Sequence, residues 1–397
     1  MTPTVVLARP PATGGLHAHM RHEARLLAAL GAAVIDAGPS AGRIEGATWH
    51  EVPISEGAHP VKAARSILRL RSLLRSLSAG EDGGRGPVTV HAHGVRAGAL
   101  ACLAARLLGA PRRSGQSQRP GISRRPRVLV TVHNRMPTSG AGKIVGALLM
   151  RIVARGADTV LVVSPDLGDA ARAAGARTVI RALVPAPTAS GTADLGTPGP
   201  TDDGVSALVL ARLAPQKGLD VLLDAVGLLR ERAADNDGAR PFHVLVAGDG
   251  PLREHLSARI RSEDLPVTLL GHVSDPAPLL ASADLVIQPS LWEGQPVAIQ
   301  EALQAGRPII ATDAGGTRWV CEDAALLVPP HDPDALAAAM RDLTGPTGAE
   351  KRQRLSVLAR ERARRLPTEH DLAAQLTTLI PGLDPPPPPT TARPTAP

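Results

Sequence analysis

The stretch ADLVIQPSLWEGQPVAIQEALQAGRPIIATDAGG, residues 283–316, decides the fold. Its apolar run Leu285-Val286-Ile287, within Asp284 to Pro289, has the length and character of a parallel strand buried on both faces. Glu293 and Gly294 then open a turn, and Pro296 stands where a first helical residue is favoured. Val297, Ile299, Leu303 and Ala305 carry a short helix, Gly306 ends it, and a second strand runs from Pro308 to Thr312. The order is strand, loop, helix, strand. It places one carboxylate, Glu293, in the loop at a strand's carboxyl end and a second, Glu301, inside the helix. In open α/β sheets ligands bind at that edge, where helix amino termini offer unpaired N–H groups. A sugar hydroxyl at Glu293 and a ribose at Glu301 suit this placement; a helix cap and a solvated acid are the plainer alternatives.

Outward from this unit, the same alternation runs in both directions. Towards the amino terminus a strand at Thr4 to Ala8 leads through a loop with Gly14 and Gly15 into a helix from about Leu16 to Leu30, then a strand from Ala33 to Asp36. The glycines let backbone approach a phosphate or an acceptor at the first crossover. Further strands are predicted at Val88 to His93, Val128 to Asn134 and Asp158 to Ser164. In the second half they fall at Val205 to Ala211 and His243 to Gly248. Strands alternating with helices predict doubly wound parallel sheets. Pro185 to Gly204, rich in Pro, Gly, Thr and Ser, reads as a linker. The expected domains are therefore 1–184 and 205–380, joined by 185–204 and followed by a disordered Pro-rich tail at 381–397.

Charge supplies the next clue. Lys217 is predicted at a helix amino terminus, where a cation opposes the helix dipole. An anion held between Arg212, Lys217 and the helix end removes that conflict. Residues 60–79, PVKAARSILRLRSLLRSLSA, set Ile67, Leu70, Leu74 and Leu77 on one stripe and basic residues on the rest. Such a helix either packs on a core or lies on an anionic bilayer. Pro111 to Arg127 holds six arginines in a Gly/Ser/Pro loop, a solvated insertion whose charge also suits anionic lipid. The net charge of +7 favours acidic partners generally.

Composition narrows the classes. One Phe, no Tyr and three Trp leave a core of Ala, Val, Leu and Ile, and argue against a single-stranded nucleic-acid binder that stacks bases on aromatics. Cys102 and Cys321 have no paired spacing, which points to a reducing compartment. The start MTPTVVLARPP lacks a basic leader pattern, and the most apolar stretch, Ile144 to Val163, is broken by Arg151, Arg155 and Asp158. A cytoplasmic protein is expected, with contact to the inner membrane face through residues 60–79 and 111–127. Asp235-x-Asp237 and Asp332-x-Asp334 lie in predicted loops away from strand ends, with Asp334 placed as a helix cap, so no metal site is expected.

Glu293-Gly294-Gln295-Pro296 with Glu301-Ala302 resembles the E-x7-E signature of the retaining GT-B glycosyltransferases of family 4. The resemblance extends from the Gly14-Gly15 loop to the region of Pro333. It implies two Rossmann-like domains facing each other across a cleft, and a sugar moved from a nucleotide-sugar donor to an acceptor hydroxyl without a metal cofactor. The match Thr131-Val132-His133 implies that His133 hydrogen-bonds the donor sugar. Arg212 and Lys217 then hold the diphosphate; Glu293, Gly294, Gln295 and Glu301 hold the sugar and ribose; Gly315 and Gly316 offer N–H groups to the distal phosphate; and Gly15 belongs to the glycine-rich loop. Gly271, His272 and Val273 resemble the turn beside the nucleotide base, and Gly248-Asp249-Gly250 the family's turn rather than a dinucleotide site. His93, in the His-x-His of VTVHAH, is expected to line the cleft or to be a satisfied structural histidine. A helix like residues 60–79 in membrane-associated relatives points to a lipid-linked or cell-envelope glycan as acceptor.

Three positions depart from the family pattern. Val184-Pro185-Ala186-Pro187 replaces a Pro-Asn-Gly turn, Gln295 an aromatic or aliphatic residue, and Trp319 a glutamate. They leave open a silent relative that binds nucleotide sugar or membrane without turnover; among enzymes, the rival is a sugar phosphorylase or a nucleotide-sugar epimerase on the same fold.

Overall fold

A computed structural model describes residues 1–11, 14–55, 57, 59–78, 86–108, 125–136, 139–186, 204–234 and 241–388. Most of the predicted linker, nearly all of the arginine-rich insertion and Asp235-x-Asp237 lie outside these residues.

The chain divides into two compact units, residues 1–184 with 367–397 and residues 185–366. In the first unit seven strands form one parallel sheet: β1 (Thr4–Ala8), β2 (Ala33–Gly38), β3 (Thr48–Glu51), β4 (Val88–His93), β5 (Arg127–Val132), β6 (Thr159–Val162) and β7 (Val179–Arg181). Their spatial order is β3-β2-β1-β4-β5-β6-β7. The crossovers carry α1 (Gly14–Ala29), α2 (Pro60–Ser78), α3 (Val95–Arg106), α4 (Gly140–Gly156) and α5 (Pro165–Ala173). Every residue of β1 is buried, as a strand covered by helices on both faces must be.

The second unit repeats the plan with β8 (Val205–Leu210), β9 (Phe242–Ala247), β10 (Val267–Gly271), β11 (Leu285–Gln288), β12 (Ile309–Thr312) and β13 (Leu326–Val328). Its helices are α6 (Leu219–Ala234), α7 (Arg253–Ser262), α8 (Ala277–Ser282), α9 (Val297–Gln304), α10 (Thr317–Cys321), α11 (Pro333–Thr344) and α12 (Gly348–Ala363). The sheet is parallel in the order β10-β9-β8-β11-β12-β13. Because strand side chains alternate between faces, Val209 joins Leu222 and Met340 in one core while Leu208 joins Ile299 and Ala359 in the other. Helices pack both faces.

Several predicted boundaries move. The last helix, α13 (Glu369–Leu379), belongs to the first unit, so the second domain does not run to 380; the family resemblance implies such a return of the last helix. It packs against α1, and Gln375 ties it to β7's exit, donating to the Arg181 carbonyl at 2.9 Å and accepting from the Leu183 N–H at 3.2 Å. The predicted disordered tail begins too early: Leu383 is buried and the Asp384 N–H donates to the Leu30 carbonyl at 3.0 Å. Residues 389–397 lie outside the described residues. Helix α1 opens at Gly14, so the glycine pair forms its first turn rather than the preceding loop. Asp332, not Asp334, caps α11 by accepting the Ala335 N–H at 2.8 Å. Pro296 is likewise the cap of α9 and not its first helical residue.

Candidate functional site

In the second sheet the strand order reverses between β8 and β11. The loops leaving two such neighbours diverge to opposite faces and open a crevice at their carboxyl ends. Those loops carry Arg212 and Lys217 after β8 and Glu293 after β11.

Lys217 does not start a helix as predicted. It ends a single 3-10 turn, Pro215–Lys217, and α6 begins only at Leu219 with Asp220 in its first turn. The dipole conflict is thus relieved by the intervening turn. Lys217 Nζ instead reaches Glu293 Oε1 at 2.5 Å. The same oxygen accepts the Ser290 hydroxyl at 2.7 Å. Glu293 is 7% exposed, so removing its cation would strand a buried carboxylate.

The loops are locked together by backbone. Leu291 donates its N–H to the Gln216 carbonyl at 2.8 Å, and Gln216 Nε2 returns a bond to the Trp292 carbonyl at 3.0 Å. The turn residue Gly218 has φ +63°, and a Cβ there would lie 2.0 Å from the Pro289 carbonyl oxygen. Only glycine permits both the left-handed backbone and that approach. Gly315 repeats the device after β12: φ is +61° and a Cβ would lie 2.0 Å from the Glu293 carbonyl oxygen. The Gly316 N–H donates to that carbonyl at 2.9 Å, so it is committed to holding the Glu293 loop.

The remaining predicted donor residues fall on the same sheet edge. Arg212 is exposed and makes no ion pair or side-chain hydrogen bond among the described residues. Gly294 and Gln295 are half-buried between Glu293 and α9. Glu301 sits in α9, half-buried, and burial pushes its carboxyl above the ordinary range. Gly271, His272 and Val273 leave β10, where the Gly271 carbonyl accepts the Gly248 N–H at 2.7 Å. Trp319, in place of the family's glutamate, offers its carbonyl to Arg362 at 3.2 Å.

His133 and Gly15 belong to the first unit. A Cβ on Gly15 would meet nothing within 4 Å, so the fold itself does not demand glycine there. His133 is the first residue after β5, and its Nε2 lies 3.0 Å from His93 Nδ1, the rings stacked with centroids 5.3 Å apart. Burial, then the neighbouring His93 and His19, hold His133 well below its ordinary range. It is a neutral hydrogen-bonding group at neutral pH. His93 itself is fully buried and lines no surface.

Behind His133 stands a cluster that the sequence reading missed. His91 Nδ1 lies 2.5 Å from Glu23 Oε1, and its Nε2 lies 2.7 Å from Thr131 Oγ1. Two signals were present: His91 and His93 are two apart on a strand and share a face, and His19 and Glu23 are four apart on a helix. Neither spacing says that the helix covers that strand.

Two parallel doubly wound units, one with paired acid and base at its switch point, define the two-domain GT-B class of α/β proteins. Family descriptions agree: "Glycosyl transferase 4-like domain" matches residues 14–187 and "Glycosyl transferases group 1" matches residues 205–345. The chain belongs to this family of group 1, family 4 glycosyl transferases. A D-inositol 3-phosphate glycosyltransferase of Jonesia denitrificans is 33% identical over 183 residues, covering 43% of this chain and 42% of the relative. A GDP-mannose-dependent alpha-(1-6)-phosphatidylinositol dimannoside mannosyltransferase of Mycobacterium tuberculosis is 29% identical over 172 residues, 42% of each chain. The chain thus spans about two fifths of the length of these curated relatives. Among solved structures, Anabaena HepE in complex with UDP and glucose aligns with a TM-score of 0.69 at 15% identity, over 94% of this chain and 98% of that one.

Proposed function

We propose that the protein transfers a sugar from a nucleotide-sugar donor to an acceptor hydroxyl with retention at the anomeric carbon. The observation that carries this is the Lys217–Glu293 pair at the switch point, with exposed Arg212 earlier in the same loop as Lys217. Two cations at one end of a crevice match a diphosphate, and a carboxylate fixed by a lysine and a serine matches sugar hydroxyls.

In this mechanism the donor diphosphate takes Lys217 and Arg212 as its counter-cations. Each positioned donor group stabilises the departing phosphate by roughly 3 kcal/mol. Glu293 accepts sugar hydroxyls as oxocarbenium character develops, and ionised Glu301 accepts from the ribose. His133 keeps the sugar-hydroxyl role that the family resemblance gives it. The acceptor hydroxyl attacks from the face the phosphate leaves, and the phosphate oxygen takes its proton, so no separate side-chain base is required. The HepE complex with UDP and glucose and the GDP-mannose named for the mycobacterial relative support the donor class.

For the acceptor we propose a lipid-linked or cell-envelope glycan at the inner membrane face. Helix α2 exposes Val61 and Leu68 beside Lys62 and Arg65, and α4 exposes Ile144 and Leu148 beside Lys143 and Arg151. No helix among the described residues is long and apolar enough to cross a membrane, so the contact is peripheral. Apolar groups ringed by cations suit an anionic bilayer surface. Wild-type protein should sediment with anionic vesicles at low salt, and Leu68→Asp with Leu148→Asp should abolish this. Equal sedimentation with neutral vesicles would remove the membrane reading.

The transfer reading is tested by nucleotide release and product NMR with acceptor extracts. An α-linked donor should give an α-linked product, and Glu293→Gln should cut turnover at least about 100-fold. Phosphate-dependent cleavage of a disaccharide without nucleotide would contradict it.

A further inference from the structure

We propose that His19, Glu23 and His93 form a binding site for one divalent transition-metal ion of the zinc class, inside the first unit. Among the described residues, one ligand atom from each of the three lies within 4.8 Å of the others. His19 Nε2 stands 3.7 Å and His93 Nε2 3.4 Å from the same oxygen, Glu23 Oε2. A tetrahedral zinc ion with bonds near 2.0–2.1 Å spaces its ligands about 3.4 Å apart. Two of the three spacings are 3.4 and 3.7 Å, and all three atoms lie within 4.8 Å of one another.

The second observation is an orphan. His93 is 0% exposed, and its Nε2 has no hydrogen-bond partner. It faces Glu23 Oε2 at 3.4 Å. A buried ring nitrogen left unsatisfied is costly, and a metal ion is a partner to which such a nitrogen gives its lone pair.

The other atoms of the cluster are placed as metal sites place them. Glu23 Oε1, the oxygen turned away, meets His91 Nδ1 at 2.5 Å, and His91 is held in turn by Thr131. His93 Nδ1 meets His133 Nε2 at 3.0 Å. Partners of this kind fix the orientation of ligating carboxylates and imidazoles. Protonation agrees. Burial lowers His19 to about 4 and lowers His93 as well. Burial alone would raise Glu23, yet His91 and His93 outweigh it and hold the carboxyl well below its ordinary range. Neutral imidazoles and an ionised carboxylate are the forms that bind metal. Three protein ligands leave a fourth position for water. No Asp-x-Asp or paired-cysteine spacing announces the site, because its ligands come from α1 and β4, some 70 residues apart in sequence.

The test is a titration of chelator-stripped full-length protein with Zn²⁺ alone, followed calorimetrically without nucleotide. Wild type should take up one tight equivalent, and its thermal midpoint should rise with it. His19→Ala and Glu23→Gln should each weaken that equivalent at least tenfold, while His272→Ala, in the other unit, leaves it unchanged. Circular dichroism checks that the variants fold. Should either fail to fold, the wild-type stoichiometry still decides. Absence of a tight equivalent in wild type, or its loss in His272→Ala alone, overturns the proposal.

Discussion

At the scale of single residues, the site is a balance between burial and charge. Lys217 and Glu293 neutralise each other at 2.5 Å, so in the proposed mechanism a donor diphosphate shares Lys217 with Glu293 rather than finding it idle. Lys217→Ala should lower kcat/KM about 100-fold or more, measured by nucleotide release. Glu301 offers a sharper test. Burial raises its carboxyl, so its ionised form costs the fold stability. That cost is absent below the ordinary carboxyl value and grows as pH rises through the raised one. Glu301→Gln should therefore raise the nucleotide-free thermal midpoint at pH 7, with no gain in acid. Its nucleotide affinity should fall, and wild-type affinity should weaken as pH drops through the raised value. These charges were legible in sequence as types and spacings. Their pairing was not, because Lys217 and Glu293 are 76 positions apart and only the strand order makes them neighbours.

At the scale of elements, the strands were the most legible feature. The run SALVLA is largely apolar because helices cover both faces, and the observed strands β4 and β8 begin and end within a residue of VTVHAH and SALVLA. Helix starts were less legible. The turn at Lys217 is set by Gly218 closing on the Pro289 carbonyl, a contact made by a distant loop. Gly218→Ala should cost about 2 kcal/mol or more from left-handed strain plus the clash, read by urea unfolding, with donor affinity falling alongside. Helix α13 tests a different link. Thr368 accepts the Asp371 N–H while Asp371 accepts the Thr368 N–H, a reciprocal cap. Thr368→Ala should cost about 1 kcal/mol, read in the first unit's stability. The stripe of α13 announces a packed helix in sequence but does not say which sheet it packs against.

At the scale of the whole molecule, alternation of strands and helices announced two doubly wound units, and the structure has two. What composition alone missed was the return of residues 367–388 to the first unit. Buried Leu372, Leu376 and Leu379 drive that return, since each leucine removed from water contributes on the order of 2 kcal/mol. A chain ended at residue 366 should therefore unfold its first unit at lower urea while leaving the second unit's transition in place.

The proposed function requires the switch-point loops of the second unit to bind a nucleoside-diphosphate sugar through Lys217. A thermal-shift comparison of UDP-, GDP- and ADP-sugars on wild type and Lys217→Ala addresses it most directly. A ligand bound only by the folded state raises the midpoint by mass action. One nucleotide-sugar series should raise the wild-type midpoint and leave Lys217→Ala unmoved. A wild type that responds to none of them, or a Lys217→Ala variant that responds as fully as wild type, would contradict the account.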